Sequence, residues 1–283
     1  MLNGCAYILT VDVGNTFIRF GLFAEDSAAA QECPLATCEI TTPSSITADE
    51  ARMRLAQVMG ALAADAGMPG ALVPAAAVLS CVVPALERPW KAALSRTCTG
   101  RVLTVGPGLK TGMPVHYDDP AEIGPDRIAD AVAVRAVYGS PCIVIDLGTT
   151  TNIEVIDARG TFVGGVIAPG LALGARSLSA AAARLPQVEP SAPTHVIGRN
   201  TREAMRSGVV LGEVARIDGM LDMVLAEMRA TKAAGEGSVP IVITGDDAEA
   251  LAALVGHSLT VDDALTLRGL AELYRINQKP RRA

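Results

Sequence analysis

Two aspartates of this 283-residue chain stand at the same place in the same short phrase. Asp12-Val13-Gly14-Asn15-Thr16 follows the apolar run Tyr7 to Val11, and Asp146-Leu147-Gly148-Thr149-Thr150 follows Cys142 to Ile145. Each phrase leads into another strand-like run, Phe17 to Phe23 and Asn152 to Ile156. The pattern predicts a strand, a tight turn and a returning strand, with a carboxylate at the end of the first strand. Gly14 lets the first turn bend where a Cβ would crowd it. The backbone N–H groups and hydroxyl of Asn15-Thr16 suit phosphate oxygens. Asp12 suits Mg2+, directly or through water, because a hard cation takes carboxylate oxygen. Arg19, on the returning strand, has the reach to meet phosphates. The second turn offers Asp146 and the consecutive hydroxyls of Thr149, Thr150 and Thr151, a patch fit for a cation and phosphate oxygens. Either phrase alone also describes an ordinary hairpin; the repetition in two halves of one chain favours the chemical reading.

A third stretch is Glu122-Ile123-Gly124-Pro125-Asp126-Arg127. Gly-Pro closes a loop and Asp126 falls at a helix start, where an Asp often serves only as a cap. Arg127 beside it is a cation in the first turn, where the helix dipole disfavours one. Such a placement suits an arginine that holds a substrate carboxylate, with Asp126 able to take a proton from a substrate hydroxyl. Gly164-Gly165-Val166-Ile167-Ala168-Pro169-Gly170 ends a strand and opens a helix, where backbone and anion can approach closely. Neither a G-x-x-x-x-G-K-[ST] loop nor a G-x-G-x-x-G fingerprint after a strand is present. His116, His195 and His257 are isolated, and Trp90 reads as a helix packing residue.

The elements that must position these residues alternate between strands and helices. Hairpins are expected at 7–23 and 142–156, a further strand at 37–41, and strands at Ala77 to Val83, Arg101 to Val105, Thr161 to Ile167 and Pro240 to Thr244. Helices are expected from a Ser45 cap to Ala66, at Leu86 to Ser95, from Asp126 to Tyr138, and at Leu171 to Ala183. Others follow at Glu203 to Ala230, bent near Gly208, at Ala248 to Leu254, and at Leu265 to Asn277. This alternation indicates an α/β fold. The Gly- and Pro-rich segment from 106 to 120 is the best linker, which predicts lobes at 1–118 and 119–283.

Half of the residues are hydrophobic and 3% are aromatic, enough for two cores built on Ala, Val and Leu. A net charge of −6 without a long basic stretch argues against nucleic acid as partner. The short tail Lys279-Pro280-Arg281-Arg282 reads as solvated. The six cysteines form no C-x-x-C pair, and no apolar run is long enough to span a membrane. A soluble cytoplasmic protein is expected.

In order along almost the whole chain, these segments resemble the type III pantothenate kinases, members of the actin-like, sugar-kinase-like and Hsp70-like superfamily. The resemblance rests on the Asp12 phrase, Tyr117 before Asp119-Pro120, Gly124-Pro125-Asp126-Arg127, and Asp146 to Thr151. It continues through Gly164 to Leu171, Leu185-Pro186-Gln187-Val188-Glu189, Ile197-Gly198-Arg199-Asn200-Thr201 and Ser207-Gly208. It implies two similar actin-like (RNase H-like) lobes with the active site in the cleft between them. It implies transfer of the ATP γ-phosphate to pantothenate, the first step of coenzyme A synthesis. By the same resemblance Asp12, Val13, Gly14, Asn15, Thr16, Phe17, Ile18 and Arg19 bind the ATP phosphates, and Thr149 contacts ATP. Asp126 is the general base. Tyr117, Gly124, Pro125, Asp126, Arg127 and Thr201 contact pantothenate, and Asp146 holds a monovalent cation. The family pattern adds K+ or NH4+ to Mg2+, and a homodimer.

Three departures from that pattern stand out. Arg19 replaces a usual Lys, and Asn152 replaces a common Thr. Thr244-Gly245-Asp246-Asp247 replaces a Thr-Gly-Gly segment, and its carboxylates are expected to weaken ATP binding where no metal intervenes. The alternative is a catalytically weak relative acting as a regulatory or binding protein. Retention of Asp12, Asp126, Arg127, Asp146 and Thr201 favours the enzyme, because a scaffold has no physical need for that set.

Overall fold

The computed structural model describes residues 6–25, 32–68 and 72–278. The tail from Lys279 and the thiol of Cys5 lie outside the described residues. Two compact units emerge: residues up to Val137 together with the segment from Ala264 onward, and Tyr138 to Asp263.

The first unit is built on a sheet of strands β1 (Tyr7–Val13), β2 (Phe17–Ala24), β3 (Ala36–Thr41), β4 (Ala76–Cys81) and β5 (Val102–Thr104), in the order β3-β2-β1-β4-β5. β1, β2 and β3 run antiparallel to their neighbours, whereas β4 and β5 continue the sheet in parallel from β1. Strand periodicity of two divides the faces. Leu9, Val11, Val13, Ile18, Phe20, Ala77 and Leu79 enter one core with helices α1 (Ala48–Asp65) and α2 (Pro84–Thr97). Trp90 of α2 is fully buried there, edge-on to Phe20 at 5.7 Å between ring centroids. The opposite face, bearing Thr10, Asp12 and Ser80, belongs to the side on which helix α8 (Leu265–Ile276) packs against β1, β2 and β4.

The second unit repeats the plan. Strands β6 (Cys142–Leu147), β7 (Thr150–Ile156), β8 (Phe162–Pro169), β9 (Ile241–Gly245) and β10 (Thr260–Val261) lie in the order β10-β9-β6-β7-β8. Read from β8, this is the order of the first sheet. Ile143, Ile145, Leu147, Ile153 and Val155 face a core with Val214, Ile217 and Leu221 of the helix that follows Leu211. The expected α/β fold of two similar lobes is therefore what the chain forms.

Element boundaries hold with local corrections. The first helix is capped by Thr47, not Ser45: its side chain accepts from the Glu50 N–H and Glu50 returns the bond, a T-x-x-E capping box. The stretch expected as one bent helix divides into α5 (Thr201–Arg206), a π turn at Ser207–Leu211 and α6 (Gly212–Ala230), so the bend at Gly208 is a widened turn. The 118/119 boundary does not match the packing. Helix α3 (Pro125–Tyr138) and α8 both join the first unit. Packing decides that allegiance: a Cβ on Gly269 of α8 would stand 1.9 Å from the Ala129 carbonyl of α3.

Gly269→Ala must push α8 off α3. It is expected to lower the unfolding free energy by about 1–3 kcal/mol, the usual cost of overpacking. Urea unfolding reads this directly, and an unchanged midpoint would refute the close helix contact.

Candidate active site

In the first unit the chemistry gathers at the end of β1. Register pairs Asp12 with Arg19 on β2 and with Ser80 on β4. The turn between the strands closes through the Gly14 N–H and the Phe17 carbonyl at 3.0 Å. Thr42 staples it from β3's end: its N–H donates to the Thr16 carbonyl and its hydroxyl to the Gly14 carbonyl. Asn15 and Thr16 remain exposed at the tip, as a phosphate-binding turn requires.

Asp12 is 8% exposed, and its Oδ1 is buried without a hydrogen-bond partner. Burial pushes its pKa up to about 6, and the nearby carboxylate of Asp126 adds to the rise. The Ser80 hydroxyl and the Arg19 guanidinium oppose it. Arg19 itself bonds Glu39 on β3 through Nε at 3.0 Å and lies over the Phe17 ring. An orphaned carboxylate oxygen in a buried place fits a hard cation, which takes one or two carboxylates and leaves its other positions to water and phosphate. Among the described residues no set of three His, Cys, Asp or Glu side chains could enclose a metal alone.

Gly124 and Pro125 deliver Asp126 and Arg127 into the first turn of α3. Asp126 Oδ1 accepts from the Arg127 N–H at 2.8 Å, and a Cβ on Gly124 would meet that oxygen at 2.3 Å. Gly124 thus leaves room for the carboxylate. Burial raises the Asp126 pKa, against the backbone bond and the charge of Arg127. Arg127 is only 5% exposed, so it is no surface cation. Beside this turn a cavity of about 360 Å3 is lined by Val105, Leu109, Val115, Ile123, Pro125 and Ile128, with Cys81 and Thr111 at its edge. Tyr117 is half-buried in the loop before α3.

In the second unit Asp146 pairs in register with Asn152 on β7 and Thr244 on β9. Its turn is tighter than the first, closed by the Gly148 N–H on the Thr150 carbonyl at 3.0 Å. Thr149 sits in that turn, and its carbonyl accepts from the Gly170 N–H at 3.1 Å. A Cβ on Gly170 would stand 2.2 Å from the Gly148 carbonyl, so this glycine brings the α4 start (α4, Leu171–Ala181) against the turn. Gly164 has φ +119 in a strand whose register shifts nearby. The Gly-rich segment therefore serves a bulge and a close backbone approach. Thr151 faces the other way: its hydroxyl donates to buried Glu213 at 2.6 Å, and Arg216 bonds both Glu213 and the Pro169 carbonyl. Thr201 is exposed at the first position of α5, capped by Asn200. The Asp246 N–H donates to the Leu147 carbonyl at 2.6 Å, and Asp247 is exposed at the head of α7 (Ala248–Ala252).

The structure thus brings together Asp12, Arg19 and Asp126 in the first unit, and Asp146, Asn152 and Thr244 in the second. Sequence reasoning passed over Ser80, whose signal was a hydroxyl inside an otherwise apolar strand. It also passed over the Thr151–Glu213–Arg216 network, which no local spacing announces.

A pKa above the unfolded value of 3.8 means that the native state holds the Asp12 proton more tightly. The stabilisation is present below pH 4 and is lost as pH rises through about 6, leaving ionised Asp12 a burden of ~3 kcal/mol at neutral pH. Asp12→Asn should therefore stabilise the ligand-free protein at pH 7.5 and flatten its stability between pH 4 and 6. Thermal melts against pH test this; a less stable variant at neutral pH would contradict it.

Comparison with known proteins gives the family. The family model for type III pantothenate kinase matches residues 8–223. A type III pantothenate kinase of Koribacter versatilis is 37% identical over 275 residues, covering 96% of each chain. One from Nocardia farcinica is 39% identical and covers 97% of this chain and 99% of its own. Among solved structures, a conserved Baf family protein from Campylobacter jejuni superposes with a TM-score of 0.56 at 18% identity, covering 95% of this chain and 98% of its own. That likeness speaks for the fold, and the sequence matches speak for descent: the chain belongs to the type III pantothenate kinase family.

Proposed function

We propose that this protein is a pantothenate kinase, transferring the γ-phosphate of ATP to the primary hydroxyl of pantothenate to give 4'-phosphopantothenate. The observation that carries the reading is the Asp126–Arg127 pair at the start of α3, beside an apolar cavity and within electrostatic reach of Asp12. Pantothenate carries a primary hydroxyl on a carbon next to two methyl groups, and a carboxylate at its other end. The hydroxyl suits Asp126, the methyl groups suit the cavity and the carboxylate suits Arg127.

In this reading Asp126, its pKa raised by burial, takes the hydroxyl proton as the oxygen attacks phosphorus. Phosphoryl transfer asks mainly for positioning and charge neutralisation. The turn from Asp12 to Arg19, including Val13, Gly14, Asn15, Thr16, Phe17 and Ile18, offers exposed backbone at its tip and a cation on its returning strand. Asp12 would hold Mg2+, which would supply charge neutralisation on the phosphates. Thr149 contacts ATP, Asp146 with its neighbouring oxygens holds K+ or NH4+, and Tyr117 and Thr201 complete the acceptor site. A homodimer belongs to the same reading, as the family pattern implies. No described helix is long and apolar enough to cross a membrane, which accords with a cytoplasmic enzyme.

The test is ADP release with and without pantothenate, in K+ and in Na+. Pantothenate-dependent turnover that requires K+ is expected, and Asp126→Asn should lose ~10²–10⁴ in kcat. Folded protein with no turnover in any cation would refute the kinase reading. Asp246→Gly should lower KM for ATP several-fold; an unchanged KM would place that carboxylate away from the phosphates.

A further inference from the structure

Ser80 lies fully buried in the middle of the first sheet, in parallel register with Asp12. Its neighbours on β4 alternate away from it: Ala77 and Leu79 enter the α1–α2 core, whereas Ser80 shares the face of Asp12. Its hydroxyl is close enough to favour ionised Asp12. The Ser80 hydroxyl acts on Asp12 as a side-chain hydrogen bond, yet by strict geometry Ser80 Oγ and Asp12 Oδ1 are each buried without a partner. Buried polar atoms in native proteins are rarely left so, and two on residues paired in register suit a polar occupant. A strand that already carries Ala76 and Ala77 has no packing need for a hydroxyl at this point.

The second sheet repeats the arrangement. Thr244 on β9 stands to Asp146 as Ser80 stands to Asp12, in the same parallel register and 2% exposed. A hydroxyl beside the strand-end aspartate is thus a feature of both units.

We propose that Ser80 is a positioning residue of the divalent-cation site: its hydroxyl and Asp12 Oδ1 share a cation-bound water, which fixes the carboxylate. The proposal rests on the kinase reading for the presence of Mg2+. It needs no proton transfer and assigns Ser80 no contact with the acceptor.

The probe is Mn2+ with ADP, followed by the electron paramagnetic resonance of free Mn2+ on the full-length protein. Ser80→Ala should weaken Mn2+ binding about 10-fold, the usual cost of losing a group that orients a metal ligand. It should raise KM for Mg2+ while leaving KM for pantothenate unchanged. Ser80→Thr, which keeps the hydroxyl, should restore binding, and Ser80→Cys repeats the loss at nearly constant volume should alanine disturb the strand. Equal Mn2+ affinity in wild type, Ser80→Ala and Ser80→Cys would overturn the proposal even if pantothenate turnover is robust. Mn2+ binding that depends on Ser80 in a protein without pantothenate turnover would uphold Ser80 and refute the kinase reading instead.

Discussion

The first unit is organised around one costly group, the carboxylate of Asp12 buried at the end of β1. A charge in that position is unfavourable unless something meets it. Arg19 across the hairpin and Ser80 across the parallel pair offset part of the cost, and Asp126 adds to it. The rest of the unit keeps the group where it is. Thr42 staples the turn that follows it. On the same face a Cβ at Gly21 would stand 2.7 Å from the Thr10 hydroxyl and 3.2 Å from Leu267 of α8. Gly269 brings α8 closer still to α3, the helix that carries Asp126 and Arg127. Small residues thus hold the covering helices close while the carboxylate stays only partly compensated. Carboxylates perturbed in this way cluster at functional sites.

The two sheets share strand order, register and alternation, so their differences are informative. Asp12 faces an arginine where Asp146 faces Asn152. The turn after Asp12 has an exposed tip, whereas the turn after Asp146 is shorter and pressed by Gly170. The first arrangement suits a multiply charged anion with a divalent metal. The second, richer in neutral oxygens, suits a singly charged cation. One plan, used twice, thus presents two different sets of side chains at the strand ends.

Much of this was legible in the chain. Apolar runs marked the hairpins, and the Asp-x-Gly turns marked their ends, because strand and turn are local patterns. The bend near Gly208 was legible as an interruption of helical spacing, though not as a π turn. The cap at Thr47 was written as T-x-x-E and was still missed in favour of Ser45, two residues earlier. Other features depend on contacts distant in sequence. Nothing in Leu265 to Ile276 says which sheet the helix covers; only its fit against β1, β2 and β4 decides. Ser80 looks like one small residue in an apolar strand until register sets it beside Asp12. Arg127 was read as misplaced for a helix start, and its burial, set by packing distant in sequence, could not be read from the chain.

The central claim is that Asp12 is held in a high-energy state which a metal-bound nucleotide relieves. Its carboxyl pKa, followed by carbon NMR with Asp12→Asn for assignment, tests this most directly. The account predicts a value near 6 in the ligand-free protein and a fall below the usual aspartate value of about 4 when Mg2+ and ADP bind. A value near 4 in the ligand-free protein, unmoved by Mg2+ and ADP, would contradict it.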